Sequence, residues 1–373
     1  MRGLWRAPHL PLFLMASFGA GLVPLIWLWP DLACDPVAWH RQELVLGFAG
    51  AAMGGYLLTA LPHWLKLAGA GGEGISAGGT AALVAAWGVG RLAGGSCLPD
   101  GMALAGLALY PLGLTLCLVA PVIRAGAWSR LPIALAPLLL VLIAVRLRLA
   151  ADSLTAVLGM ALLCAAVGGR IIPAFLAARA GNRRAGPPWP WGARIANGAL
   201  ALALGLHLTG TEERWIGALL LFAAFGQAAR LGWWDLAPAT RGHRDLVLLL
   251  CAWLWLPLGL GLVGAALLGV GLPRATAVHA LTMGLMGSLV LAVMARSWMR
   301  RAPGCLLVDW ATAMAFALVQ LSTGFRLGMV DFGEGPAAAS WSLAWGIAAA
   351  HCVAALLRPV PHPILSAARG AGP

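Results

Sequence analysis

Charged side chains are scarce in this chain. Asp, Glu, Lys and Arg together make up 10% of its 373 residues, whereas 61% are hydrophobic and the mean hydropathy is +0.86. A soluble domain carries about a quarter of its residues as charged side chains. The shortage of charge therefore argues against a soluble enzyme and predicts a polytopic membrane protein.

The chain also lacks the short motifs that usually carry chemistry. It has no CxxCH, which excludes covalently attached haem, and no P-loop, HExxH or nucleophilic triad. The seven cysteines show no CxxC spacing and mostly lie in apolar segments. They are interpreted as small buried hydrophobes, not as a disulfide or zinc framework. Cys34 and Cys97 are predicted on the same outer face, where nothing in the sequence requires them to pair.

The formal net charge of +12 does not indicate a nucleic-acid partner, because the basic residues are scattered between apolar runs. Positive charge retained on one side of a membrane explains the balance better. With the N-terminus inside, about 17 of the 25 Lys and Arg residues fall in inner loops. Both termini are therefore predicted to be cytoplasmic. The first apolar run, after Arg2 and Arg6, has no signal-peptide cleavage site and is interpreted as a span.

The apolar runs predict an all-α, polytopic integral membrane bundle of about twelve transmembrane helices. Residues 1–373 are interpreted as a single membrane domain, with two groups of about six helices, 1–179 and 192–373, joined by a cytoplasmic loop at 180–191. The spans are predicted near 10–29, 40–62, 77–98, 101–123, 129–149, 154–178, 192–209, 214–234, 245–268, 275–299, 305–326 and 338–357.

The run from Ala275 to Arg301 carries a single imidazole, His279, about one turn inside its outer end. On a regular helix Met283 and Met286 would share the face of His279. An imidazole in hydrocarbon is costly unless its ring nitrogens are satisfied. The spacing leaves two interpretations open: a functional histidine, or one bonded to a carbonyl of a neighbouring helix.

The second span opens with WHRQE, which places His40 and Glu43 on one face. Glu43 is predicted either to support His40 as a ligand by accepting its second ring hydrogen, or to pair with Arg41 or an outer arginine. His207 is predicted near the same outer depth as His40 and His279. These three imidazoles converge on one leaflet, which chance explains poorly.

Histidines on different spans suit a haem iron held axially between helices, and together with His207 they suit copper or zinc instead. Outer arginines could neutralise haem propionates, although each also fits a simple topology charge: Arg91, Arg146, Arg148 and Arg326. In GGRIIPAF at 168–175, Pro173 is expected to kink the helix and Arg170 to satisfy the freed carbonyls.

Several motifs, in order, resemble those of the NnrS family: WHRQE with GGYLLTALPHW, GGRIIPAF, WLWLPLG at 253–259 and HALTMGLMGSLVLAVMAR. Weaker motif matches, including RLGWW at 230–234, extend the similarity over nearly the whole chain. This resemblance implies a bacterial inner-membrane protein that contains haem and copper and is linked to the nitric oxide response and denitrification.

The chain departs from the family pattern where further histidines are expected. Gln42 replaces a histidine of the second span, Arg146-Leu147-Arg148 an aromatic-His pair, and Leu249-Leu250 a Leu-His pair. His40 and His279 remain, which suffices for one six-coordinate haem b, whereas the missing ligands count against copper and a second haem.

The spacing and the resemblance together predict haem-binding residues His40, His279, Glu43, Met283, Arg91 and Arg148. His40, His279 and His207 are the predicted metal ligands, although His207 matches no family position and is included for its depth alone. The expected partners are the lipid bilayer, haem, and nitric oxide or a respiratory electron donor, with no nucleic acid. Two other functions stay open: a transporter whose histidines line a substrate or proton path, and a metal-free scaffold that assists a respiratory complex. Whether the protein is an enzyme is left open.

Overall fold

The computed structural model describes residues 4–180, 190–237, 241–302, 305–328 and 334–357. Within these ranges nearly the whole chain is helical. The long helices, in chain order, are α1 His9–Trp27, α2 Pro36–Leu67, α3 Ala77–Gly95, α4 Asp100–Arg124, α5 Trp128–Ala150, α6 Ser153–Arg179, α7 Pro190–Leu208, α8 Glu213–Leu231, α9 Arg244–Leu267, α10 Arg274–Ala295, α11 Trp310–Arg326 and α12 Glu334–Leu357.

Each of the twelve predicted spans corresponds to one of these helices. Eight helices in the described ranges are long and apolar enough to cross a membrane: α1, α2, α4, α5, α6, α9, α10 and α12. A hydrophobic stretch of about 20 residues is what a bilayer requires of a helix. The chain is therefore a multi-pass membrane protein, and the prediction of an almost purely helical fold is confirmed.

The connection between α10 and α11 differs from the prediction. The tenth span was expected to reach residue 299, but α10 ends at Ala295 and an antiparallel ribbon follows, with β1 Arg300–Ala302 pairing with β2 Cys305–Leu307. Helix α11 consequently begins at Trp310 and not at 305. Its start is fixed by Asp309, whose carboxylate accepts a hydrogen bond from the Thr312 backbone N–H at 2.7 Å.

The chain divides into two compact units. One contains the described residues up to Ala156 together with the part of α12 from Trp345, and the other contains the described residues from Val157 to Ala344. The boundaries fall within α6 and α12. The predicted cytoplasmic loop at 180–191 lies largely outside the described residues.

In the first unit, close approach of helices depends on small residues of α2. The Tyr110 hydroxyl of α4 donates to the Gly50 carbonyl at 3.1 Å, which satisfies a polar group that has no water to bond. A Cβ at Gly54 would overlap that hydroxyl, at 2.0 Å. Phe48 packs edge-on against Trp345, with ring centroids 4.6 Å apart.

In the second unit, α9 packs against both α8 and α10. The backbones of α8 and α9 approach closely at Gly217 and Gly264, where a Cβ on either residue would lie 2.8–2.9 Å from the carbonyl of the other. Small residues at a helix crossing provide van der Waals contact that apolar lipid cannot replace. This crossing fixes α9, which carries several of the residues described below.

Candidate functional site

The helices that carry His40 and His279 share an irregularity. Helix α2 contains a π-helical segment, Glu43–Ala49, and α10 contains another, Ala280–Gly287. The first begins three residues after His40 and the second directly after His279. Such segments occur mostly as local bulges, frequently at functional sites. In each unit, one of the two predicted ligands therefore lies next to a π-helical turn: His40 in the first unit and His279 in the second.

The half-buried His279 has its ring orientation fixed by its own helix. Its Nδ1 lies 2.8 Å from the carbonyl oxygen of Ala275, one turn earlier. Because a carbonyl only accepts, Nδ1 carries the proton, and the lone pair of the neutral ring is on Nε2. This is the local arrangement that orients metal-binding histidines. The carbonyl belongs to α10 itself and not to a neighbouring helix.

The methionines predicted beside His279 do not remain on one face. A π turn contains an additional residue, so a spacing of seven no longer returns to the same side of the helix. Met283 is half-buried, whereas Met286 is buried, with 2% of its surface exposed. The role of Met283 beside a cofactor stays a prediction.

His40 lies at the start of α2 and is half-buried. Its ring packs against Trp27 at the end of α1, with centroids 5.4 Å apart. Helix α2 begins here because the Asp35 carboxylate accepts hydrogen bonds from the N–H groups of Val37 and Ala38, at 3.0 and 2.9 Å. The cap and the tryptophan together set the position of the imidazole.

Glu43 forms an ion pair with Arg91 of α3, with Oε1 and Nη1 2.9 Å apart. Both side chains are largely buried, with 7% and 14% exposed. Gly47 admits the pair, since a Cβ there would lie 2.8 Å from both Arg91 Nη1 and Glu43 Oε2. Trp87 donates its indole N–H to the Gly47 carbonyl at 3.0 Å. Of the partners left open by the sequence, Glu43 thus takes an arginine of the predicted outer end.

We expect Glu43→Gln to lower the free energy of unfolding by about 1–3 kcal/mol, because it removes the negative charge that faces a mostly buried guanidinium. The amide retains the size of the side chain, so the loss reports the charge and not a cavity. Titration with SDS in mixed micelles measures it. The matched control is Glu212→Gln, since the exposed Glu212–Arg214 pair should contribute almost nothing. Equal effects of the two substitutions would contradict this interpretation.

The two arginines that stand where the family has an aromatic-His pair are both engaged by carboxylates. Arg146 donates to Asp152 at 2.9 Å. Arg148 pairs with Asp100 at 2.6 Å and donates to the Leu98 carbonyl at 2.9 Å. This chain therefore has two arginines, held in place by carboxylates, at the position where the family pattern has a metal ligand.

The cysteines were only partly predicted. Cys34 and Cys97 form a disulfide, with Cα atoms 5.8 Å apart, so the interpretation of all cysteines as unpaired was wrong for these two. The pair forms because Cys34, before α2, and Cys97, after α3, meet at the ends of adjacent helices. Cys117, Cys164, Cys251 and Cys352 are free and buried or half-buried, as expected.

His207 lies in the last turn of α7 and is half-buried. In the described part of the chain no group of three or more His, Cys, Asp or Glu residues comes close enough to hold a metal ion. His207 is therefore not part of such a cluster there, and its role as a metal ligand stays a prediction.

In the second unit the GGRIIPAF segment meets an arginine that the sequence reasoning did not select. Pro173 lacks an N–H and cannot bond to the carbonyl four residues earlier, which is that of Gly169. Arg230 of α8 donates to this carbonyl from Nη2 at 3.0 Å. The expected partner, Arg170, is exposed. The freed carbonyl is satisfied from another helix because Gly169 leaves the space that a side chain would occupy.

Arg230 is 5% exposed, and it donates hydrogen bonds to neutral groups. Its Nη1 donates to the side-chain oxygen of Gln227 at 2.7 Å. Its guanidinium carbon lies 5.0 Å from the ring centroid of Trp253 and 5.9 Å from that of Trp234. Two aromatic faces thus stabilise the cation. The signal in the sequence was RLGWW, an arginine and two tryptophans at the end of a span.

A second buried arginine, in the same unit, joins the ends of three helices. Arg296, directly after α10, forms an ion pair with Asp245 at the start of α9, with 2.8 Å between Nη1 and Oδ2. The two side chains are 2% and 0% exposed. The guanidinium carbon lies 3.8 Å from the ring centroid of Phe175, the last residue of GGRIIPAF. The ends of three motif-bearing helices are therefore joined by one buried cation.

GGRIIPAF, RLGWW and WLWLPLG are far apart in the sequence, but residues of all three contact Arg230 or contain it, and GGRIIPAF also contacts Arg296. The sequence matches the model of the family described as NnrS protein over residues 3–359. No curated protein shows significant similarity to it. Because the family match covers nearly the whole sequence, the chain belongs to the NnrS family.

Proposed function

We propose that this protein binds haem b, with His40 and His279 as axial ligands, and acts in the response to nitric oxide and nitrosative stress or in denitrification. Membership of the NnrS family supports the process. The observation that carries the ligand assignment is the bond from His279 Nδ1 to the Ala275 carbonyl, which orients the ring in the tautomer whose lone pair is on Nε2.

The residues around each histidine fit an axial ligand. His40 is held between the helix start and Trp27, and His279 is oriented by its own backbone. Arg91 has its Nη1 on Glu43, while its buried Nε makes no hydrogen bond within the described residues. That N–H is the donor available to a propionate, with Arg148 as the second cation. A haem held by two imidazoles supplies electron transfer more readily than gas binding.

We further propose that all twelve helices span the bacterial inner membrane, with both termini in the cytoplasm. Exposed tryptophans at the ends of the less apolar helices support this, because such residues concentrate at membrane interfaces. Trp191 begins α7, Trp215 and Trp233 flank α8, and Trp310 begins α11, with exposed fractions of 65%, 56%, 57% and 75%.

The test is the haem content of purified His40→Ala and His279→Ala variants, by Soret absorbance and pyridine haemochrome. We expect both to lose most of the bound haem, since a non-covalent haem depends on its axial ligands. His351→Ala is the matched control for His279: its Nδ1 makes the same bond, at 3.1 Å, to the Ile347 carbonyl one turn earlier. Unchanged haem in both ligand variants would overturn the assignment.

A transporter is the second candidate function. It is favoured by a series of hydrogen-bonded polar side chains inside the second unit. The Trp255 indole donates to Gln320 Oε1 at 2.6 Å, and Gln320 Nε2 donates to Ser288 Oγ at 2.6 Å. Trp255 and Gln320 are half-buried and Ser288 is buried, and polar groups inside a membrane bundle often mark a path through the protein. Protein without any pigment would favour this alternative or a metal-free scaffold. Elemental analysis of the same sample decides on copper.

A further inference from the structure

The disulfide between Cys34 and Cys97 joins the two helices that hold the predicted cofactor residues of the first unit. Cys34 precedes α2 and lies six residues before His40, while Cys97 follows α3 and lies six residues after Arg91. The Glu43–Arg91 ion pair joins the same two helices farther along. The position of His40 relative to α3 therefore depends on the disulfide, on this ion pair and on the hydrogen bond from the Trp87 indole to the Gly47 carbonyl.

Both half-cystines are exposed, and both line a cavity of about 370 Å³ in the first unit. Two arginines, Arg41 and Arg148, and two carboxylates, Asp35 and Asp100, also line this cavity. A disulfide deep in a core is shielded from thiols, whereas an exposed one is open to attack. The cavity gives an incoming thiolate access to the sulfurs. Arg41 is the cation that can stabilise a thiolate there, since Arg148 is paired with Asp100.

We propose that Cys34–Cys97 is a thiol–disulfide exchange site that takes an external dithiol as its reductant. A thiolate of the dithiol attacks one sulfur, forms a mixed disulfide and releases the other sulfur as a thiolate. The second thiol of the reductant, as its thiolate, then attacks the mixed disulfide and releases the second cysteine. Two electrons pass from the dithiol to the pair, two protons end on Cys34 and Cys97, and the reductant becomes a cyclic disulfide.

Opening the disulfide leaves the Glu43–Arg91 ion pair and the hydrogen bond from the Trp87 indole to the Gly47 carbonyl between α2 and α3, and both lie farther from the helix ends than the disulfide. The segment from Pro36 to Phe48, which contains His40, is then held less firmly. The redox state of the external thiols would thereby control how rigidly the His40 ring is held. This consequence follows from the connectivity and does not require that haem is bound.

The experiment uses the full chain in nanodiscs with dithiothreitol as the dithiol. Thiols are counted with maleimide-polyethylene glycol after denaturation, before and after treatment of the folded protein. We expect two additional thiols after treatment, and none in a Cys34→Ala/Cys97→Ala variant. Hydrogen exchange should become faster in residues 36–48 on reduction, while residues 274–287 of the second unit, which contain the corresponding histidine and π segment, should not change.

Three outcomes would overturn the proposal. In the first, the pair is already reduced in protein isolated without reductant, so that no thiols are gained. In the second, the disulfide resists dithiothreitol until the protein is unfolded. In the third, reduction leaves the hydrogen exchange of residues 36–48 unchanged, which would show that the disulfide does not restrain the His40 segment. Haem content measured in parallel keeps failure here separate from failure of the ligand assignment.

Discussion

Replacing Arg296 with methionine should lower the free energy of unfolding by about 3–5 kcal/mol, because it leaves Asp245 as a buried carboxylate without its cation. The pair is inaccessible to solvent, with side chains 2% and 0% exposed, so water cannot take over the role of the guanidinium. The substitution also removes the cation from the face of Phe175. Unfolding by SDS in mixed micelles measures the loss.

Two further variants distinguish the charge from simple packing. Arg296→Met combined with Asp245→Leu should recover most of the stability, since replacing a buried ion pair by apolar groups is often neutral or stabilising. Arg300→Met is the matched control, because Arg300 is exposed on β1 and its loss should change stability by no more than about 0.5 kcal/mol. A double variant as unstable as the single one would show that packing, not charge, dominates.

Gly169→Ala is expected to be nearly as damaging. A Cβ at this position would lie 2.1 Å from Arg230 Nη2, so the guanidinium would have to leave the Gly169 carbonyl. We expect about 1–3 kcal/mol from the steric conflict and a similar loss from the unsatisfied carbonyl. Thermal unfolding followed by tryptophan fluorescence suits this variant, because Trp234 and Trp253 flank Arg230.

The control is Gly205→Ala in α7, where a new Cβ would meet no atom within 4 Å. Alanine is the better helix former by about 1 kcal/mol, so this variant should be neutral or slightly more stable. Pro173→Ala adds a mechanistic test, since it restores an N–H that can bond the Gly169 carbonyl. Arg230→Met should then cost less in the Pro173→Ala background. An equal cost in both backgrounds would show that Arg230 does not act through this carbonyl.

The positions of the helices could be predicted because the apolar runs are long and are separated by charges, prolines and glycines. The connection after α10 could not, since the ribbon formed by Arg300–Ala302 and Cys305–Leu307 depends on pairing between two short polar and apolar segments. The π segments of α2 and α10 were also missed. Periodicity in an apolar stretch does not reveal an additional residue in one turn, because every neighbouring position is apolar too.

The choice of partners was equally beyond the sequence. GGRIIPAF indicates that a carbonyl is freed and that an arginine satisfies it, but the motif points to Arg170, which it contains, and not to Arg230 of another helix. Glu43 was expected beside an arginine or beside His40, and proximity along the chain could not decide between them. Cys34 and Cys97 are 63 residues apart, and nothing in their spacing required a disulfide.

Hydropathy and motif order were enough to establish that the chain lies in a membrane, is helical and belongs to its family, because both can be read along the chain. The pairing of Arg91 with Glu43, of Arg230 with the Gly169 carbonyl and of Arg296 with Asp245 became known only from the fold. A charge buried in an apolar bundle bonds to whichever partner the helix packing brings within about 3 Å. That partner is set by distances in space, which residue spacing does not contain.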